Sequence, residues 1–197
     1  MGTALFRDVD IRQALYNNDL KKYSNDDDTL ILDEMGVMQG LHRVDIAVIN
    51  GKMHGYEIKS DVDTLARLPL QAEAYSKILD RVTLVVAKRH LQKAIALVPT
   101  WWEIKVAYPN KKHVLSIKKY RPGLVNYNID ASSLVQLLWK DEVVSLLEQL
   151  GFAPKDLRYP KATLYKMLTE NISLAKLKSL TRTILKNRTN WRGQMQP

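Results

Sequence analysis

Cysteine is absent from all 197 residues, which excludes disulfides, thiolate zinc sites and cysteine nucleophiles. Histidine is scarce, and His42, His54, His90 and His113 show no metal-ligand spacing. No apolar run approaches the roughly 20 residues of a membrane span, and the opening MGTALFRDVD lacks the pattern of a secretory signal. The expectation is a soluble, cytoplasmic protein with no membrane partner. Acidic residues run short towards the C-terminus. Residues 155–197 hold ten Lys/Arg and two Asp/Glu, a balance of +8, against +1 for the 154 residues before them. That asymmetry points to a polyanion partner for the C-terminal part, although a basic solvated helix needs none.

What is present suffices for one core. A hydrophobic content of 46% is ordinary for a globular chain of this length. The organising stretch is Glu34 to Lys59, where two strand-like runs, Arg43–Ile49 and Met53–Ser60, flank Asn50-Gly51, a strong hairpin signal. Strand side chains alternate faces. Val44, Ile46 and Val48 therefore share one face and leave Asp45 on the other with Ala47. On the second strand Tyr56 and Ile58 oppose Glu57 and Lys59. The hairpin thus gathers Asp45, Glu57 and Lys59 on one side of a sheet.

Two carboxylates that are not fully solvated repel one another unless a cation lies between them. Oxygen ligands suit a hard ion such as Mg²⁺ or Mn²⁺, and an adjacent ammonium could stabilise a pentacovalent phosphate or orient a water. The set specifies metal-assisted phosphodiester hydrolysis better than most alternatives. The bland alternative is a half-exposed hairpin with a solvated charged face.

Further residues favour the first reading. Val44-Asp45, eleven intervening residues and Glu57-Ile58-Lys59 resemble the signature of the PD-(D/E)XK nuclease superfamily, with Val44 where a proline is usual. Glu34 stands where many members carry an acidic residue. Gln71-Ala-Glu-Ala-Tyr75 is similar to the Q-x-x-x-Y element of the RecB-like branch, and the string EIKSDVDTLARLPLQAEAY looks like a small bacterial and phage branch. The likeness is close over residues 5–110. It implies a restriction-endonuclease-like αβββαβ core within the α/β class, and Mg²⁺ or Mn²⁺ held by Asp45, Glu57 and the Ile58 carbonyl. It further implies Lys59 as the catalytic ammonium assisted by Gln71, and DNA rather than RNA as partner.

The remaining segments follow. Asp8–Leu20 reads as a helix with Asp8 or Asp10 as N-cap, and Tyr23–Asp28 as a polar loop. Thr29–Met35 reads as a buried strand whose row Leu30, Leu32, Glu34 ends in a carboxylate that needs a partner. That partner is a metal, or else Arg43 or Lys59. Arg43 could instead touch a phosphate. A helix from about Thr64 to Leu79, capped by Ser60–Asp63, carries Pro69, which breaks it or begins it in earnest. Gln71 and Tyr75 share one face of it, where Tyr75 either packs on a sugar or base or is core. Arg81–Ala87 reads as a central strand reached by a right-handed crossover, Leu91–Val98 as helix, and Glu103–Tyr108 and Val114–Lys119 as strands. Trp101 and Trp102 are packing residues or a stacking platform.

A first domain of residues 1–128 and a basic helical region of 129–197 are expected. In the latter, Ala131–Leu150 is helical with a break near Trp139-Lys140, Gly151 closes it, and Lys161–Leu168 and Ser173–Asn187 follow. That pair resembles a helix-turn-helix, with Lys176, Lys178, Arg182 and Lys186 offered to phosphates. The alternative is a helical cover for the sheet. Two rivals to a nuclease remain: a non-catalytic nucleic-acid binder, and a protein-interaction factor needing no metal. A homodimer or a recruiting protein partner is compatible with any of the three.

Overall fold

In the computed structural model, residues 5–189 and 191 are described. They fall into two compact units, one ending at Ile129 and the other beginning at Asp130. The first is built on helix α1 (Asp8–Asn17), strands β1 (Leu30–Val37), β2 (His42–Ile49) and β3 (Met53–Lys59), helix α2 (Leu68–Ser76), strand β4 (Arg81–Ala87), helix α3 (Leu91–Leu97) and strands β5 (Glu103–Pro109) and β6 (Leu115–Arg121). The six strands lie side by side in chain order. β1, β2 and β3 pair antiparallel, β3, β4 and β5 parallel, and β5 and β6 antiparallel. The class is α/β with a mixed sheet.

Alternation along β2 and β3 sets the two faces. Ile46, Val48, Tyr56 and Ile58 are buried with Ile11, Leu15, Leu20, Val85 and Ala107, so α1 covers this face with its apolar stripe. Asp45, Glu57 and Lys59 go to the other. The Asn50-Gly51 hairpin forms with a three-residue link, Ile49 facing Met53 across it, and the Asn50 side chain accepts from the Lys52 amide at 3.2 Å. β4 is buried on both faces except at Arg81, as its unbroken apolar run requires.

Three local expectations need correction. Neither Asp8 nor Asp10 is the N-cap of α1. That position is Arg7, and Asp10 reaches back to accept from the Arg7 amide at 2.8 Å. α2 begins at Leu68 rather than Thr64, because Pro69 fits only the first turn, and Asp63 instead folds back on the Ser60 amide at 2.8 Å. In β1 the row Leu30, Leu32, Glu34 does not continue regularly. Glu34 has φ +54°, a left-handed conformation costing a non-glycine residue about 1–3 kcal/mol, and its side chain is half-exposed.

The second unit is helical: α4 (Ala131–Leu134), α5 (Lys140–Gln149), α6 (Lys161–Asn171) and α7 (Leu174–Asn187). Asp130 caps α4 through the Ser132 and Ser133 amides, and the expected break falls at Leu138-Trp139. Gly151, at φ +87°, ends α5 in the left-handed region where glycine is free of strain. Ser173 caps α7, its Oγ accepting from the Lys176 amide at 3.2 Å. Arg188 is bound inside this unit. It pairs with Glu142 at 2.6 Å and lies over the rings of Trp139 and Trp191.

Candidate active site

Opposite α1, the sheet carries a buried charge network. Lys59 Nζ lies 2.5 Å from Glu57 Oε1 and donates to Gln71 Oε1 at 3.0 Å. Gln71 Nε2 donates to the Tyr75 hydroxyl at 3.3 Å, and that hydroxyl lies 2.8 Å from Glu57 Oε2 and also bonds the Arg43 carbonyl. Asp45 Oδ2 accepts from the Ile58 amide at 2.6 Å. Strand alternation supplies Asp45, Glu57 and Lys59. Helical spacing supplies Gln71 and Tyr75 from the first and second turns of α2.

Burial decides what these groups can do. Glu57 is 0% and Lys59 4% exposed, so the pair is dry. Desolvation of a buried pair commonly offsets its attraction, and apolar residues of similar volume would often serve stability as well. An ion pair kept here therefore points towards chemistry rather than cohesion. Asp45 is pushed up from 3.8 to about 8, by burial first and by the Glu57 charge second. Burial raises Glu57 as well, while Lys59, Tyr75 and Gln71 work against the rise. One ammonium thus stands against two carboxylates.

Glu34 and Asp45 lie opposite one another where the β1–β2 ladder skips a pair, between Asp33–Ile46 and Met35–Val44. The Glu34 charge adds to the upward push on Asp45. Its ion-pair partner is neither Arg43 nor Lys59 but Arg12 of α1, at 2.9 Å. Arg12 also binds Asp8 at 3.1 Å, Asp33 at 2.8 Å and the Asp45 carbonyl at 2.7 Å. Burial works against the Arg12 charge, yet Asp8 and Asp33 outweigh it and hold the guanidinium protonated. Nothing in the sequence pattern singled out Arg12. Its one signal was the i, i+4 spacing from Asp8.

The other expected site residues have varied surroundings. Tyr75 is 0% exposed and stacks on the buried Trp102, ring centroids 6.1 Å apart, so it reaches no sugar or base. Trp102 is likewise core. Gln71 is buried and engaged by Lys59 and Tyr75. Arg43 is exposed and offers its side chain to solvent. On α7, Leu177, Thr181 and Leu185 face inward; Lys176 is exposed and Lys178, Arg182 and Lys186 are partly buried along its flanks, with no acidic residue in the helix.

Among the described residues no group of three His, Cys, Asp or Glu forms a ready cation cage. Both Glu57 oxygens are engaged here, Oε1 by Lys59 and Oε2 by Tyr75, so only the chemistry of the donors speaks for a divalent ion. Asp45 and Glu57 are hard oxygen donors, and the unbalanced carboxylate raised towards neutrality is what an added cation would relieve.

Residues 1–195 match the family described as Bacteriophage P4 protein cII, and the chain belongs to that family. It is 28% identical over 184 residues to Protein cII of Enterobacteria phage P4, an alignment covering 93% of this chain and 68% of the relative. No solved structure matches.

Proposed function

We propose that the chain is a metal-dependent nuclease of the PD-(D/E)XK kind, with a restriction-endonuclease-like core, hydrolysing phosphodiester bonds in DNA. The observation that carries the reading is the convergence of Asp45, Glu57 and Lys59 on one sheet face, with Lys59 buried and locked by Glu57 and Gln71. The element order α1-β1-β2-β3-α2-β4 supports it. Asp45 and Glu57 would hold Mg²⁺ or Mn²⁺, with the Ile58 carbonyl, and Glu34 would complete the acidic set. A divalent ion there supplies Lewis-acid charge and a more acidic water.

The chain's own residues have separable tasks. Lys59 presents a fixed positive charge where negative charge would build on the phosphate, and being dry strengthens that effect. Gln71 holds the ammonium in place, and Tyr75 orients Glu57. Arg12 draws off the Glu34 charge, which lessens the repulsion at Asp45. Arg43 and the α7 row Lys176, Lys178, Arg182 and Lys186 would contact phosphates. Cleavage of both strands by a chain with one such site would call for a homodimer or a recruiting partner.

A second reading rests on α7 alone. A helix with four basic residues and no acidic one could bind nucleic acid without catalysis. Nicking of supercoiled plasmid in Mg²⁺, Mn²⁺ and EDTA separates the two. Asp45→Asn is the informative control, because Lys59→Ala would strand Glu57 in the core and confuse lost chemistry with lost folding. Metal-dependent nicking absent from Asp45→Asn is expected. Salt-sensitive binding with no cleavage in any metal would favour the second reading.

A further inference from the structure

On the α1 face of the same sheet, away from Asp45 and Lys59, lies a cavity of about 530 Å³. This volume falls in the range of small-molecule sites. Its floor is strand: Tyr56 and His54 of β3, Arg81 of β4, Glu103 and Lys105 of β5 and Lys119 of β6. Lys22 and Lys52 stand at its rim with Asp19. The lining carries five cationic side chains and two carboxylates.

The carboxylates are already taken. Asp19 pairs with Lys105 at 2.6 Å and Glu103 with Lys119 at 3.5 Å. Glu103 also accepts from the Thr83 hydroxyl at 2.7 Å. Thr83 must then accept from His54 Nε2, 2.8 Å away, which fixes that tautomer and leaves Nδ1 without a proton. Lys22, Lys52 and Arg81 have no carboxylate partner among the described residues. Lys22 lies over the Tyr23 ring. Arg81 is only half-exposed and closes the β3–β4 register opposite His54. A half-buried guanidinium facing further cations, with no counter-charge, is the arrangement of an anion site.

We propose that this cavity binds a small ligand through a diphosphate or longer phosphate group. One terminal phosphate carries about −1.5 to −2 charge, so an excess of three cations matches more than a single phosphate. Arg81 makes the bidentate contact its fork is shaped for, and Lys22 and Lys52 close over the outer oxygens. The rigid strand floor means that little ordering is lost on binding. The site is independent of the nuclease reading, since it shares no residue with the Asp45–Lys59 network and lies on the opposite face.

Titration calorimetry of the full chain with pyrophosphate and with adenosine diphosphate, in EDTA and against adenosine alone, tests it. Equal affinity for the two probes would mean that the phosphate group alone is read. Tighter binding of the nucleotide would mean that the pocket reads the nucleoside too. In either case Arg81→Gln should weaken binding about tenfold or more, as loss of a charged hydrogen bond does. Lys52→Gln, on the exposed hairpin where folding is not at risk, should weaken it several-fold, and Asp45→Asn should leave it unchanged. The proposal is overturned if neither probe binds at millimolar concentration. It is also overturned if Lys52→Gln and Arg81→Gln bind as the parent does, or if Asp45→Asn abolishes binding.

Discussion

The two faces of the six-stranded sheet handle buried charge in opposite ways. On the α2 face, two carboxyl groups share one ammonium, and burial with the neighbouring charge pushes Asp45 towards its neutral form. On the α1 face, carboxylates are paired off and three cations are left over. The same strand, β3, supplies Glu57 and Lys59 to one side and His54 and Tyr56 to the other. Alternation alone thus lets seven residues of chain contribute to two differently charged surroundings. In neither site is the arrangement the one that cohesion would favour.

The largest effect expected from breaking this contrast is chemical. Asp45→Asn should lower metal-dependent nicking on the order of 10³-fold or below detection, read on supercoiled plasmid, while circular dichroism shows the fold retained. Next comes packing under the acidic site. Tyr75→Phe keeps the ring on Trp102 but removes the single hydroxyl proton that Glu57 Oε2 and the Arg43 carbonyl share. A loss of about 1–3 kcal/mol in urea unfolding follows, with weaker cleavage because Glu57 is no longer held.

The pH responses should run in opposite directions. Asp45 has a folded pKa raised from 3.8 to about 8, so its burial costs stability increasingly as pH rises through that window. His54 has a folded pKa lowered from 6.5 to about 3, by burial first and then by Arg81, Lys105 and Lys22. Its burial therefore costs stability as pH falls from 6.5 towards 3. Melting temperatures in EDTA should fall less steeply towards pH 8 in Asp45→Asn and less steeply towards pH 4 in His54→Gln. Unchanged slopes would remove the electrostatic contrast.

The smallest effects belong to α7. Each of Lys176→Gln and Arg182→Gln should leave stability within about 0.5 kcal/mol and flatten the log–log salt dependence of DNA binding by roughly one.

Much of this was legible in the sequence because it depends on period and turn chemistry. The Asn50-Gly51 hairpin, the grouping of Asp45, Glu57 and Lys59, and the break before Lys140 follow from two-residue alternation or local residue preference. What escaped depends on contacts far apart in the chain. Alternation alone predicts Glu34 in a regular row, but its backbone turns left-handed and its side chain meets Arg12, a pairing across 22 positions. Tyr75 at a matched spacing looked like a substrate contact, yet Trp102 closes over it. The basic cavity was invisible because Lys22, Lys52, Arg81, Lys105 and Lys119 come from separate segments, none with a pattern of its own. Arg188, just past the basic row of α7, is claimed by Glu142 and two tryptophans.

The most direct measurement is calorimetric titration of Mn²⁺ into the metal-free chain and into Asp45→Asn, in two buffers of different ionisation heat at pH 7. One ion per chain should bind with release of about one proton, since the raised Asp45 carboxyl must ionise to bind, and none should bind to Asp45→Asn. Absence of binding to the parent chain, or equal binding to both proteins, would contradict a metal site at Asp45.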